Sequence, residues 1–373
     1  MKRFFLFCLV VEFAQFIYGQ DQPILLTGKI DKYPIIMELS PYDTSYNARY
    51  FYLNQRKDIN LEGSIDDKGN IRVAFTERGE DDPVEWFELK KSATGYSGNW
   101  HNGKKNLPVS LTQTTVEKYN NPYAYLPGIQ KLKKESPYDY VKTASFSFTK
   151  THDSKLGTAD FEWYKEKYSD IELPRVKSGY SPQAIKKMND VLLEKHLLES
   201  NDYLACMSEP DHEYHLEIPS VFAHKNILSI EIFTSYDCGG AHPDFGSEGL
   251  SFDGVSGNLL KLDEVIWFSK AKPPTEYSDT WYTYRSNVFA PAVVKLLKKI
   301  YPSEMKATED DGCDYNREDV WDFPSWHFTE KGLYLGAIFG RAARACDNPE
   351  FSIIPYKQLK PWLNPNSKLK LPE

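Results

Sequence analysis

Cys238, His242 and Asp244 fall close together in YDCGGAHPDFGSEGLSFDGVSGNLLKL, the stretch from Tyr236 to Leu262. A thiol, an imidazole and a carboxylate at that spacing are the parts of a nucleophilic site, with the imidazole as base and the carboxylate orienting it. A bland reading competes with this one. Gly239-Gly240 permits a positive-φ turn or a close backbone approach, and Pro243 stiffens the exit, so the same residues describe a tight connection between two strands. A cysteine held in a disulfide has no thiolate to offer. Gly239, Gly240, His242, Pro243 and Asp244 are therefore read as a rigid binding loop, not as a catalytic one.

Other constellations are weaker. SEPDHEYHLEI brings Asp211, His212, Glu213 and His215 together as metal-type side chains. In a strand, residues three apart point to opposite faces, so His212 and His215 do not converge on one ion. GYSGN, from Gly95, lacks the second glycine of a nucleophile elbow and the helix that must follow it. No phosphate-cradling glycine loop and no dinucleotide fingerprint occurs. Paired carboxylates for glycoside cleavage need proximity in space, and with 53 acidic residues a chance pair is close to certain. The expectation is no catalytic residue, no metal and no cofactor.

Composition limits the partners. Hydrophobic residues at 41% and charged residues at 26% describe a soluble globular chain, and 373 residues allow two or three domains. The opening MKRFFLFCLVVEFAQFIYG has the charged, apolar, small-residue order of a secretory signal, with cleavage expected after Gly19. The mature chain is then periplasmic or secreted, with no membrane anchor. Losing Lys2, Arg3 and Glu12 makes the formal charge of −8 one unit more negative. An acidic surface without a basic block argues against nucleic acid and anionic membrane, and suits a cationic protein partner.

Export also governs the cysteines. Cys8 leaves with the signal, and Cys206, Cys238, Cys313 and Cys346 remain as an even set in an oxidising compartment. Four cysteines allow three pairings. Each half of the set flanks one compact block, so Cys206–Cys238 and Cys313–Cys346 are the expected bridges.

The elements that position these residues divide the chain into segments. From Ile24 to Gln113, short alternating runs (ILLTGKID, YPIIMELS, RYFYLN, INLEGSID, NIRVAFTE, EWFELKK, GYSGNW, LPVSLTQ) are broken by turn residues about every ten positions. That pattern predicts an antiparallel meander, sandwich or small barrel over 20–115. IDDKGNIRVAF is its clearest hairpin. Residues 116–140, with three prolines and no periodicity, read as a linker. The segment 141–365 mixes helices with antiparallel strands. A strand is expected in TASFSFTK, and SGYSPQAIKKMNDVLLEKHLLES is an amphipathic helix of about five turns, with Ser181 as N-cap and Ile185, Met188, Leu192 and His196 on one stripe. HEYHLEIPSVF and ILSIEIFTSYD form a strand pair, DGVSGN turns a hairpin, a second helix lies near TYRSNVFAPAVVKLLKKIYP, and WHFTEKGLYLGAIF is a further hairpin. The fold class expected is α+β.

Across more than a hundred residues the chain resembles a known domain. FTSYDCGGAHPDFGSEGLSFDGVSGNLLKLDEVI is similar to the Tyr-x-x-Gly-Gly-Ala-His signature, and the leucine and aspartate pattern after it, of the RsiV-like domain of unknown function in bacterial envelope proteins. WHFTEKGLYLGAIFGRAARACDNPEFSIIPYKQLKPWL resembles that domain's closing segment. The same domain ends the extracytoplasmic region of a lysozyme-sensing anti-sigma factor and accompanies the catalytic domain of some peptidoglycan deacetylases. The resemblance implies a non-catalytic module that binds a protein such as lysozyme. The alternatives from another class are an enzyme acting on cell-wall glycan or peptide, and an envelope structural protein.

Overall fold

A computed structural model describes residues 22–77, 79–306 and 313–372. The expected signal segment lies outside them. Contacts between Cα atoms divide the chain into two units: residues up to 53 with 60–114, and residues 54–59 with 115 onward.

The first unit is a closed antiparallel barrel, so of the architectures open in the sequence the chain takes the small barrel. Its strands are β1 (Ile24–Ile30), β2 (Tyr33–Tyr42), β3 (Ser45–Tyr52), β4 (Ile59–Ile65), β5 (Asn70–Phe75), β6 (Glu85–Lys91), β7 (Gly95–His101) and β8 (Asn106–Gln113). They follow one another in sequence order around the barrel, and β1 pairs with β8 to close it. Closure leaves no strand edge exposed to a stray chain. The IDDKGN turn works through Asp66, whose Oδ1 accepts from the backbone N–H groups of Lys68 and Asn70 at 2.9 and 2.8 Å. Gly69 supplies the positive φ of 78°. Leu26, Ile30, Met37, Tyr50, Phe51 and Phe87 are fully buried.

The second unit begins with helices where the sequence suggested a linker. Pro127 and Pro137, which looked like breakers, are the first residues of α1 (Pro127–Glu135) and α2 (Pro137–Thr143). Proline at the first helical position costs nothing, because the amide it lacks would have had no partner. Beyond them, β9 (Phe148–Leu156), β10 (Ala159–Glu166) and β11 (Glu172–Ser178) form an antiparallel sheet in the order β11-β10-β9. TASFSFTK supplies only the start of β9. Strands β10 and β11 were not legible, since FEWYKE and ELPRVKS carry no clean alternation.

The long helix α3 (Pro182–Cys206) runs 25 residues, longer than its periodicity suggested. Ser181 caps it, its Oγ accepting from Ala184 N–H at 3.2 Å. Met188, Leu192 and His196 are fully buried and Ile185 is only half-buried. His196 is a structural histidine. Its Nε2 lies 3.0 Å from the Ile171 carbonyl and its Nδ1 3.2 Å from Arg175 Nη2. The carbonyl takes the ring's one proton, so Nδ1 accepts from the guanidinium. Burial, reinforced by the Arg175 charge, pushes its pKa down to about 3.

A second sheet holds β12 (Glu213–His224), β13 (Ile227–Asp237) and β14 (Asp244–Asp253) in that order. Its outer strand β12 carries a bulge between Glu217 and Ser220, where Pro219 removes an amide at an irregular position on an edge. The DGVSGN turn forms around Asp253, which accepts from Val255 and Ser256 N–H at 3.1 and 2.6 Å. Its returning arm is reduced to one bridge, Phe252 to Leu259.

The remaining elements are α4 (Leu262–Val265), α5 (Asp279–Tyr284), α6 (Ala290–Ile300), β15 (Ser325–Phe328), β16 (Gly332–Gly336), β17 (Ile353–Pro355) and α7 (Tyr356–Leu359). Strands β15, β16 and β17 form a third sheet. Trp321, Phe289, Phe328, Val293 and Leu297 belong to the core that α6 and this sheet share. The sheet is tied to its neighbour by Phe328 N–H donating to Ser229 Oγ at 2.9 Å.

Disulfides join Cys206 to Cys238 and Cys313 to Cys346, with Cα separations of 4.8 and 5.3 Å. Such bridges belong to an oxidising compartment, extracellular or periplasmic. Among the described residues no helix is long and apolar enough to cross a membrane.

Candidate binding site

The loop that carries the sequence candidates joins β13 to β14. Cys238 at its start is bridged to the last residue of α3, which removes the thiolate and with it the nucleophile reading. Of the two glycines only Gly239 has a positive φ, 75°. Gly240, His242 and Pro243 are exposed. The backbone of the loop is held from outside: Arg341 Nη2 donates to the carbonyl oxygens of His242 and Pro243, both at 3.4 Å. Asp244 pairs with Arg344 at 2.8 Å, and Arg344 also donates to the Phe245 carbonyl and stacks over its ring. The loop is thus tethered at both ends, by a disulfide and by two arginines, and leaves the His242 ring at the surface.

A cleft of about 390 Å³ opens at the end of the β12–β13 pair away from its turn at 225–226. Tyr214 and His215 pair across the strands with Tyr236 and Ser235, within a few residues of the loop. The cleft is lined by Asp170 and Ile171 from the β10–β11 connection, Tyr203 from α3, Tyr214 to Glu217 from β12, and Phe233 and Ser235 from β13. The edge position of β12 explains why residues of both its faces reach the opening.

Ring faces and carboxylates meet there. Tyr203 and Tyr214 pack edge-to-face at 5.8 Å, and Tyr236 stacks on Tyr214 at 6.0 Å. Tyr203 OH donates to Asp170 Oδ2 at 3.2 Å, and Tyr214 OH to Glu199 Oε2 at 2.6 Å. Burial, with Glu199 beside it, pushes the Tyr214 hydroxyl well above the usual phenol range, so it stays a donor. Asp170 goes the other way. The hydrogen bond from Lys165 at 2.6 Å, more than anything else, holds its carboxyl below the ordinary range, and it is ionised at any physiological pH. Glu217 adds an exposed carboxylate. Aromatic faces next to a carboxylate recognise cations, since a lysine or arginine side chain gains a cation–π contact and an ion pair together; with Asp170 already paired to Lys165, Glu217 is the carboxylate left to an incoming cation.

Of these residues only His215 stood out in the sequence, as a metal-type side chain whose metal role strand alternation argued against. His215 is exposed, with Glu213 the nearest acid at 4.0 Å, and it stands apart from His212. Asp170, Tyr203, Tyr214, Glu217 and Phe233 were missed. They come from four elements, the β10–β11 connection, α3, β12 and β13, and no spacing announces that they converge.

No family model matches the chain, and no curated protein matches it. Among solved structures it is similar to a DUF3298 family member from Bacteroides fragilis, at 12% identity over 60% of this chain and 94% of that one, with a TM-score of 0.31. It is also similar to a DUF3298 family protein from Pseudomonas aeruginosa, at 15% identity over 59% and 94% of the two chains, with a TM-score of 0.30.

Proposed function

We propose that the chain is an exported, non-catalytic binding protein of the cell envelope, and that it captures a cationic cell-wall hydrolase such as lysozyme. In this reading residues 20–115 form the barrel domain and residues 141–365 the binding domain. The observation that carries it is the cleft, where the exposed Glu217 side chain and Asp170, itself paired with Lys165, stand beside Tyr203, Tyr214 and Phe233. The loop Gly239, Gly240, His242, Pro243 and Asp244 borders the contact surface, and the net negative charge of the mature chain, one unit beyond the −8 of the full sequence, attracts a basic partner.

The test is titration of the mature chain with hen egg-white lysozyme by calorimetry over a salt series. Affinity should fall as ionic strength rises, because exposed charges separated by more than about 8 Å are screened at 0.15 M salt. Charge reversal with Asp170→Lys and Glu217→Lys together should weaken binding at least tenfold at low salt, about 1.4 kcal/mol. Heat changes absent at low salt, or an affinity indifferent to the reversal, would sink the proposal.

A further inference from the structure

His212 lies just before β12, 8% exposed. Its Nδ1 is 2.6 Å from the Cys206 carbonyl oxygen. A carbonyl only accepts, so the ring proton sits on Nδ1, and Nε2 carries a lone pair. Ser208 Oγ is the other neighbour of Nδ1, at 3.3 Å. Nε2 makes no hydrogen bond among the described residues, and Glu209 Oε1 is 3.8 Å from it. One ligand atom from each of Glu209, Asp211 and His212 lies within 4.8 Å of the other two. The space before Nε2 is kept open by Gly239: a Cβ there would stand 2.6 Å from that nitrogen. A ring N–H given to a backbone carbonyl, with the second nitrogen free and carboxylates beside it, is the usual setting of a metal-ligating histidine.

We propose that Glu209, Asp211 and His212 bind a divalent transition-metal ion of the zinc class, under the backbone of Gly239. The alternation argument against His212 and His215 assumed one strand, but β12 begins at Glu213, and Glu209, Asp211 and His212 all precede it. An imidazole with two carboxylates suits zinc or cobalt, whereas calcium and magnesium take oxygen ligands. Asp211 is exposed and Glu209 half-buried, and both side chains can close to the ~2.0–2.2 Å such an ion requires. Three protein ligands leave one position for water or for a donor from another molecule. The site adjoins the Cys206–Cys238 bridge, through the Cys206 carbonyl that holds His212. It does not depend on what fills the cleft.

The test uses the mature chain stripped with a chelator and titrated with zinc and with cobalt, followed by calorimetry and by the visible absorption of cobalt. One saturable equivalent is expected, with a cobalt spectrum of low coordination number and no competition from calcium or magnesium. His212→Asn keeps a donor for the Cys206 carbonyl but removes Nε2, and should weaken binding by at least about 10–100-fold. Glu209→Gln, at a half-exposed position, should weaken it with thermal unfolding unchanged, which separates ligand loss from misfolding. Absence of binding at millimolar zinc overturns the proposal. So does equal affinity in the wild type and both variants.

Discussion

Replacing Lys142 with methionine is expected to cost about 3–5 kcal/mol of the second unit's stability, measured by urea unfolding. Lys142 is fully buried on α2, and its Nζ lies 2.8 Å from Asp58 and 3.4 Å from Asp139. Asp58 is 1% exposed and also accepts from Tyr138 OH at 2.8 Å. Burial pushes the Asp58 carboxyl above the ordinary carboxylate range, and the Lys142 charge opposes that rise. Removing the ammonium leaves a carboxylate in a dry interior with its chief counter-charge gone. The double substitution Asp58→Asn with Lys142→Met should cost much less than the sum of the two single ones, because neither charge is then stranded. Additive losses would show that the pair is not coupled as its geometry requires.

Loss of the two disulfides is the other large effect. Their sequence separations are 32 and 33 residues, and loops of that size correspond to about 3–4 kcal/mol each on the chain-entropy model. Both lie in the second unit, whose whole stability should fall in the range of about 5–15 kcal/mol for a native domain. Reduction is therefore expected to lower its unfolding temperature steeply or to unfold it at 37 °C, while the barrel unit, which contains no bridge, keeps its transition. Calorimetric scans with and without a phosphine reductant read this directly. Coincident shifts of both transitions would contradict it. Cys206→Ser with Cys238→Ser should in addition free the 239–244 loop, whereas Cys313→Ser with Cys346→Ser acts on the core near Trp321 and Phe339.

The sequence was most legible where one local rule decides the outcome. The barrel strands announced themselves because each is short, alternates, and ends in a turn such as the one Asp66 and Gly69 build. Ser181 and Pro182 marked the start of α3 for the same reason. Reading failed where a local signal has two meanings. Pro127 and Pro137 break a helix in its interior but begin one at its first position, and only tertiary context chooses. Strands β10 and β11 were hidden because their polar and aromatic residues alternate poorly. The candidate site was legible only as a loop. The two glycines and Pro243 flagged 239–244, yet the nearby cleft is made by Asp170, Tyr203 and Tyr214, residues that meet only once α3 packs against β11 and β12. Periodicity did not apply to His212, which precedes β12 and so is not set against His215 by strand alternation. It was blind to Glu209 and to Gly239, which approach His212 through chain geometry rather than spacing.

The central claim is that the protein binds a cationic cell-wall hydrolase and performs no chemistry on the wall itself. It is tested most directly by incubating purified peptidoglycan with the mature chain, with lysozyme, and with both, and measuring the muropeptides released. The account predicts no release by the chain alone and a lysozyme rate that falls in proportion to added chain, restored when the Asp170→Lys, Glu217→Lys variant is substituted. Muropeptides released by the chain alone, or an undiminished lysozyme rate in its excess, would contradict it.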